Sequence, residues 1–221
     1  MLQIFRSKYE HIERFQIYGE RHSGTNFLEK TIKTVFNLPM TSFFGHKHWM
    51  GFAKPERIAY ERHTLFLGII RNPYDWLLAL YDLPHHIPHH NRYNIEGFLL
   101  NEHYSIDYNA DTEILHDRNF MTLEKRRYRN IFELRKTKLI YLNEILPELA
   151  SNYVFVSYEN FLADHNKIVN IISSRFNLTK YNNAPAPKPI FHRGFPGENI
   201  KNIMTNNICW DIEKMVGYAP R

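Results

Sequence analysis

A chain of 221 residues with 43% hydrophobic content can bury one substantial core, so a single domain is the expectation. A lone cysteine, Cys209, excludes an internal disulfide, and no apolar run approaches the length needed to span a membrane. The net charge of +5 and the pI near 9.2 suit anionic ligands, without choosing between a nucleotide, a polyanion and nucleic acid. The opening Met1–Lys8 is too short and too quickly charged for a secretion signal, so a soluble, cytoplasmic protein is expected.

In chain order, Phe15–Tyr18 reads as a short strand. Residues 25–36 read as a helix with Phe27, Leu28, Thr31, Ile32 and Val35 on one face. Between them lies a glycine-bounded turn, Gly19 to Gly24, whose backbone N–H groups at the helix start favour a bound anion. The spacing matches the first part of G-x-x-x-x-G-K-[ST]. Thr25 stands where the lysine belongs, however, and Asn26 where the magnesium-binding hydroxyl belongs. A nucleotide loop that works without magnesium is the reading.

Phe43-Phe44-Gly45-His46-Lys47-His48-Trp49 follows; on a strand, His46 and His48 would share one face with Lys47 turned away. The nearly continuous apolar run Thr64–Ile70 reads as a buried parallel strand leading into Arg71-Asn72-Pro73-Tyr74-Asp75. Pro73 and Asp75 suit the first turn of a helix and leave Arg71 at the strand's carboxyl end, where open α/β sheets bind ligands. Residues 84–118 show no clear period and read as a long variable insertion, of a length that usually carries function. Their histidines His85, His86, His89 and His90 flank Pro88 with no cysteine near, and no metal site is expected.

From Thr122 to Ala150 apolar residues recur at helical spacing. The basic cluster Lys125-Arg126-Arg127 with Arg129 is either a solvated helix face or a site for a polyanionic acceptor. Tyr153–Val156 reads as a strand ending at Tyr158, with Glu159 ordering the loop after it. Residues 182–189 form an extended connector, and Asn206–Tyr218 a last helix that stops at Gly217. Together these elements predict an α/β fold, a three-layer sandwich on a central parallel sheet, as one domain over 1–221.

Several segments resemble the sulfotransferases that use 3′-phosphoadenosine 5′-phosphosulfate. Arg21-His22-Ser23-Gly24-Thr25-Asn26-Phe27 is similar to the family's 5′-phosphosulfate loop, Pro-Lys-Ser-Gly-Thr-Thr-Trp. Arg71-Asn72-Pro73-Tyr74-Asp75, continuing to Ala79 and Tyr81, resembles its 3′-phosphate motif. Arg193-Gly194-Phe195-Pro196-Gly197-Glu198 is similar to the loop that closes over the 3′-phosphate, and Tyr158-Glu159-Asn160-Phe161 to the family's Tyr-Glu-Asp-Leu. Two positions depart from the pattern: the family's lysine falls on His22, beside Arg21, and its 3′-phosphate serine on Ala79.

The resemblance implies sulfuryl transfer from that donor to a hydroxyl or amine, with a carbohydrate among the candidate acceptors. Neither a metal nor nucleic acid is involved. Arg21, His22, Ser23, Gly24, Thr25 and Asn26 would hold the 5′-phosphosulfate, Arg71, Arg193 and Gly194 the 3′-phosphate, and Phe27 and Tyr158 the adenine. The family's base lies in the interval that the 43–49 segment occupies; His48 is favoured, with His46 as fallback and Lys47 between them. Arg21 or His22 would supply charge to the leaving oxygens. Two other classes stay open: a phosphotransferase on the same loop, and a non-catalytic nucleotide- or polyanion-binding protein.

Overall fold

The computed structural model describes residues 3–7, 11–50, 55–187 and 194–221. Its strands are β1 (Gln3–Ser7), β2 (Arg14–Gly19), β3 (Thr64–Ile70), β4 (Ile106–Asp107), β5 (Thr112–Glu113) and β6 (Asn152–Ser157). Five helices come from the first two thirds of the chain: α1 (Thr25–Phe36), α2 (Pro55–Ala59), α3 (Pro73–Asp82), α4 (Ile95–Leu100) and α5 (Ile131–Ile140). The others are α6 (Leu146–Leu149), α7 (Tyr158–Ala163), α8 (His165–Arg175), α9 (Glu198–Asn207) and α10 (Trp210–Met215). The chain divides into two compact units, Met1–Asn72 with Leu142–Phe191, and Pro73–Tyr141 with His192–Arg221.

The first unit holds the main sheet, in the order β1-β6-β3-β2. β2, β3 and β6 run parallel, and β1 adds an antiparallel edge. The α/β class with a central parallel sheet is thus the one expected. All seven residues of β3 are buried, which is why its sequence is apolar throughout instead of alternating. On one face, Ile17, Leu65, Leu67, Ile69, Val154 and Val156 pack with Leu28, Ile32 and Val35 of α1 and with Phe161, Ile168 and Ile172 of α7 and α8. Each such side chain contributes roughly 1.5–3 kcal/mol on leaving water. The opposite face is aromatic: Phe66 stacks on Tyr18 and meets Phe44 edge-on, while Tyr153 donates its hydroxyl to the Leu142 carbonyl.

The second unit is built around Tyr74, Trp76, Leu77, Phe98, Tyr128, Ile131 and Met204. Two buried ion pairs cross it. Arg135 forks onto Glu213, and Lys138 Nζ lies 2.6 Å from Asp117, whose other oxygen accepts from Ser105. At the start of α3, Asp75 pairs with Arg221 at 2.9 Å in addition to its place in the first helical turn.

Three expectations about this unit need correction. Residues 84–118 are not without regular structure: they contain α4, capped by the Asn94 side chain, a hairpin of β4 with β5, and two short 3-10 turns. The helical spacing read from Thr122 becomes a helix only at Ile131, where the Asn130 side chain caps α5, and it passes through a π-helical turn at Tyr141–Ile145. The C-terminal helix is likewise two: α9 ends at Asn207 and α10 at Met215, with Gly217 just beyond at φ 90°.

The basic cluster therefore lies on no helix, and its charges are matched within the fold. Arg126 and Arg129 pair with Glu133, and Arg127 with Glu102 and Glu113. Guanidiniums so matched offer little to a polyanionic acceptor. Of the segments singled out in the sequence, Arg193, the end of the connector at 188–189 and the first two residues lie outside the described residues.

Candidate functional site

β2 stops at Gly19 because the next turn needs close approach: a Cβ there would meet the Ile69 carbonyl at 2.6 Å and Thr25 Cγ2 at 2.9 Å. The turn is closed by Ser23, whose N–H and hydroxyl both donate to the Glu20 carbonyl. His22 (φ 62°) and Gly24 (φ 93°) then take left-handed conformations that swing the chain into α1. At Gly24 only glycine fits, since a Cβ would stand 2.3 Å from the Tyr158 ring.

No side chain caps α1. The N–H groups of Gly24, Thr25 and Asn26 meet no acceptor among the described residues. Consecutive N–H groups at a helix start, backed by the helix dipole, form an anion cradle.

Arg71 follows β3 and turns toward this loop. Its Nη1 donates to the His22 carbonyl at 3.3 Å, and its guanidinium lies 5.3 Å from the centre of the Tyr158 ring. Glu159 fixes the next residue, accepting the Asn72 N–H at 2.8 Å, so it orders the turn after β3. Two segments read separately in the sequence, the glycine turn and the Arg71 motif, thus meet, with Tyr158 touching both.

The residues after α1 run beside β2 without forming a strand. Phe15 and Thr41 N–H groups bond the Pro39 and Phe15 carbonyls, Tyr18 donates its hydroxyl to Phe44, and Gly19 N–H bonds the Lys47 carbonyl at 3.0 Å. The expected strand at 43–49 is instead a pair of turns, because its pairing with β2 is made partly by side chains.

His46 and His48 nonetheless face each other, ring centres 5.2 Å apart, and His46 stacks on Trp49. Lys47 leaves in another direction: its Nζ donates to Asn26 at 2.6 Å and pairs with Glu29 at 3.3 Å. It ties the histidine segment to α1.

His48 is buried, 7% exposed, with Nδ1 2.7 Å from the Gly19 carbonyl. A carbonyl can only accept, so Nδ1 carries the proton and Nε2 the lone pair. Burial holds the imidazole well below its ordinary pKa of 6.5; the Gly19 carbonyl opposes this, and the charges of Arg21, His46 and Lys47 add to it. His48 is a neutral imidazole at neutral pH.

The remaining predicted residues divide. Arg21 is buried, its guanidinium 5.5 Å from the Trp49 ring centre and 3.5 Å from Glu20. Phe27 packs on Phe161 and stacks on His165, a core role. Asn26 is exposed at the first turn of α1, and Thr25 is buried under it. Gly194 belongs to the second unit, with open space where a side chain would start. Among the described residues no three His, Cys, Asp or Glu side chains gather as metal ligands. Sequence reasoning passed over Glu29 and gave Trp49 no role; the i,i+4 spacing of Glu29 and Lys33 was the available signal for the first, and nothing marked the second.

No family model and no curated protein matches this chain. Among solved structures, that of mouse sulfotransferase SULT7A1 complexed with PAP aligns over 98% of this chain and 81% of its own, at 14% identity and a TM-score of 0.36. A likeness of that degree does not bear on the site.

Proposed function

We propose that the protein is a sulfotransferase that moves a sulfuryl group from 3′-phosphoadenosine 5′-phosphosulfate to an acceptor hydroxyl or amine, a carbohydrate being one candidate class. The observation that supports this reading most is the meeting of Arg71 with the turn whose Gly24, Thr25 and Asn26 N–H groups are open to an anion. An anion cradle without the lysine and hydroxyl of a magnesium-dependent loop suits a doubly phosphorylated nucleotide held by N–H groups and guanidinium. The donor supplies the activated sulfuryl group.

The cradle takes the 5′-phosphosulfate, with Ser23 bracing the turn and Arg71 reserved for the 3′-phosphate. Tyr158 offers its ring to the adenine. His48 Nε2 takes the acceptor's proton as the new sulfur–oxygen or sulfur–nitrogen bond forms. The bond from sulfur to the bridging oxygen breaks, and its electron pair stays on the 5′-phosphate. Arg21 or His22 stabilises that charge. The whole chain acts as one domain in this proposal, and the protein works in the cytoplasm.

Calorimetric titration of the full chain with 3′-phosphoadenosine 5′-phosphate should show binding without metal and tighter than that of ADP with magnesium. Arg71→Ala should weaken the first much more than the second; equal losses would count against the assignment. His48→Asn should slow transfer roughly 10²–10⁴-fold while sparing donor affinity.

A second reading, a nucleotide-binding protein without catalysis, is favoured by one observation: the Arg21 side chain is only 1% exposed and already faces Glu20, which limits the charge it can lend a leaving group. Donor binding with no transfer to any acceptor in a broad screen would select it.

A further inference from the structure

A groove of about 470 Å³ opens on the first unit between α8 and the segment 180–184. That size falls within the roughly 300–1,000 Å³ of small-molecule sites. Its construction is specific. Val35, Val169 and Ala184 belong to its lining, the two valines buried. Asn166 and Asn170, one turn apart on α8, present amides on one side, and Asn182 and Asn183 present amides on the other. Tyr181, 65% exposed, adds an aromatic ring.

The wall is held by bonds that leave much of its polar capacity unused. Tyr181 N–H bonds the Val35 carbonyl, Asn182 Nδ2 donates to the Thr34 carbonyl, and Lys180 Nζ donates to Asn170 Oδ1. The side chains of Asn166 and Asn183 engage no other described residue. Lys180 is the only charged residue of the lining among the described residues. Its ammonium is tied to an amide.

We infer that this groove binds a neutral carbohydrate. Each free amide pairs a donor with an acceptor, the match for vicinal hydroxyls, and an exposed tyrosine ring suits the C–H face of a sugar ring. Among the described residues an anionic ligand would find one cation, already engaged, and a purely apolar ligand would strand the two free amides. The groove is separate from the anion cradle: Val35 stands about 15 Å along α1 from Thr25 at the helical rise of 1.5 Å per residue. The inference does not depend on sulfuryl transfer. If that transfer takes place on a glycan, the groove grips a part of the chain remote from the reacting hydroxyl.

Saturation-transfer NMR and calorimetry on the full chain, with maltohexaose, cellohexaose, xylohexaose and chitohexaose as probes, test it. At least one is expected to bind, unaffected by saturating 3′-phosphoadenosine 5′-phosphate and unchanged in Arg71→Ala. Tyr181→Ala and Asn183→Ala should each weaken that binding by about tenfold, and Tyr181→Phe should retain it. Both altered side chains are exposed, so the fold is kept, which circular dichroism checks. Absence of binding by all four probes at millimolar concentration overturns the inference, as does binding that both alanine variants leave intact or that the nucleotide displaces. Loss of nucleotide binding alone would strike the donor reading and leave this one standing.

Discussion

One hydrogen bond decides the chemistry open to His48. Because Nδ1 must donate to the Gly19 carbonyl, the lone pair is confined to Nε2, and a single ring orientation is selected. The depressed pKa keeps Nε2 unprotonated at neutral pH, yet it also makes the imidazole a weak base. A bound anionic donor should correct this, since negative charge nearby favours the imidazolium. Nitrogen-15 NMR at pH 7 is expected to show His48 as the Nδ1–H tautomer, with a pKa that rises when 3′-phosphoadenosine 5′-phosphate is added. An Nε2–H tautomer would remove His48 as the base. Arg71 was legible from its place after an apolar run, because strand ends are marked by chemistry local to the chain. Arg21 was not: its burial beside Trp49 depends on contacts 28 residues apart that no spacing rule reports.

At the scale of elements, the turn into α1 is set by steric exclusion as much as by hydrogen bonds. Gly24 combines a left-handed backbone with the Tyr158 ring directly against its Cα. Gly24→Ala should therefore cost about 2–5 kcal/mol, adding the left-handed penalty of roughly 1–2 kcal/mol to an overpacking term of about 1–3 kcal/mol. Urea unfolding measures it. Pairing it with Tyr158→Ala should recover the overpacking part only, and a loss below about 1 kcal/mol in the single variant would mean the ring moves aside freely.

The strand–turn–helix and the β3–α3 junction were readable because periodicity, glycine spacing and a first-turn proline all act within a few residues. The start of α5 was not. Apolar residues from Thr122 imitate helical spacing, while the chain at 125–129 is held outside a helix by guanidinium pairs to Glu102, Glu113 and Glu133. Long-range charge pairing overrode local period there, just as side-chain bonds to β2 replaced the strand expected at 43–49.

For the molecule as a whole, pH should erode stability in two stages. His48 and His165 are both held below 6.5 by burial, so between their folded values and 6.5 the unfolded chain binds protons that the folded chain refuses. Stability is then complete above about pH 6.5 and falls as pH drops through that window. The second stage belongs to carboxylates. Burial alone would raise Glu29, Glu61, Glu113 and Glu133, but bonded partners outweigh it: Lys33 and Lys47, the His63 N–H and Arg14, Arg127 and Arg118, and Arg126 with the Arg129 N–H.

All four are lowered from 4.5, so their contribution is present above that pH and is lost as acid protonates them. Urea midpoints should be flat from pH 8 to 7, decline from 6.5 to 5, and decline more steeply below 4.5. His48→Asn keeps a donor for Gly19 and removes one titrating group. It should flatten the first decline by up to about 1.4 kcal/mol per pH unit, the value of one proton, and leave the second untouched. An unaltered slope between pH 6.5 and 5 would mean that His48 titrates as freely folded as unfolded, and that burial does not hold it neutral.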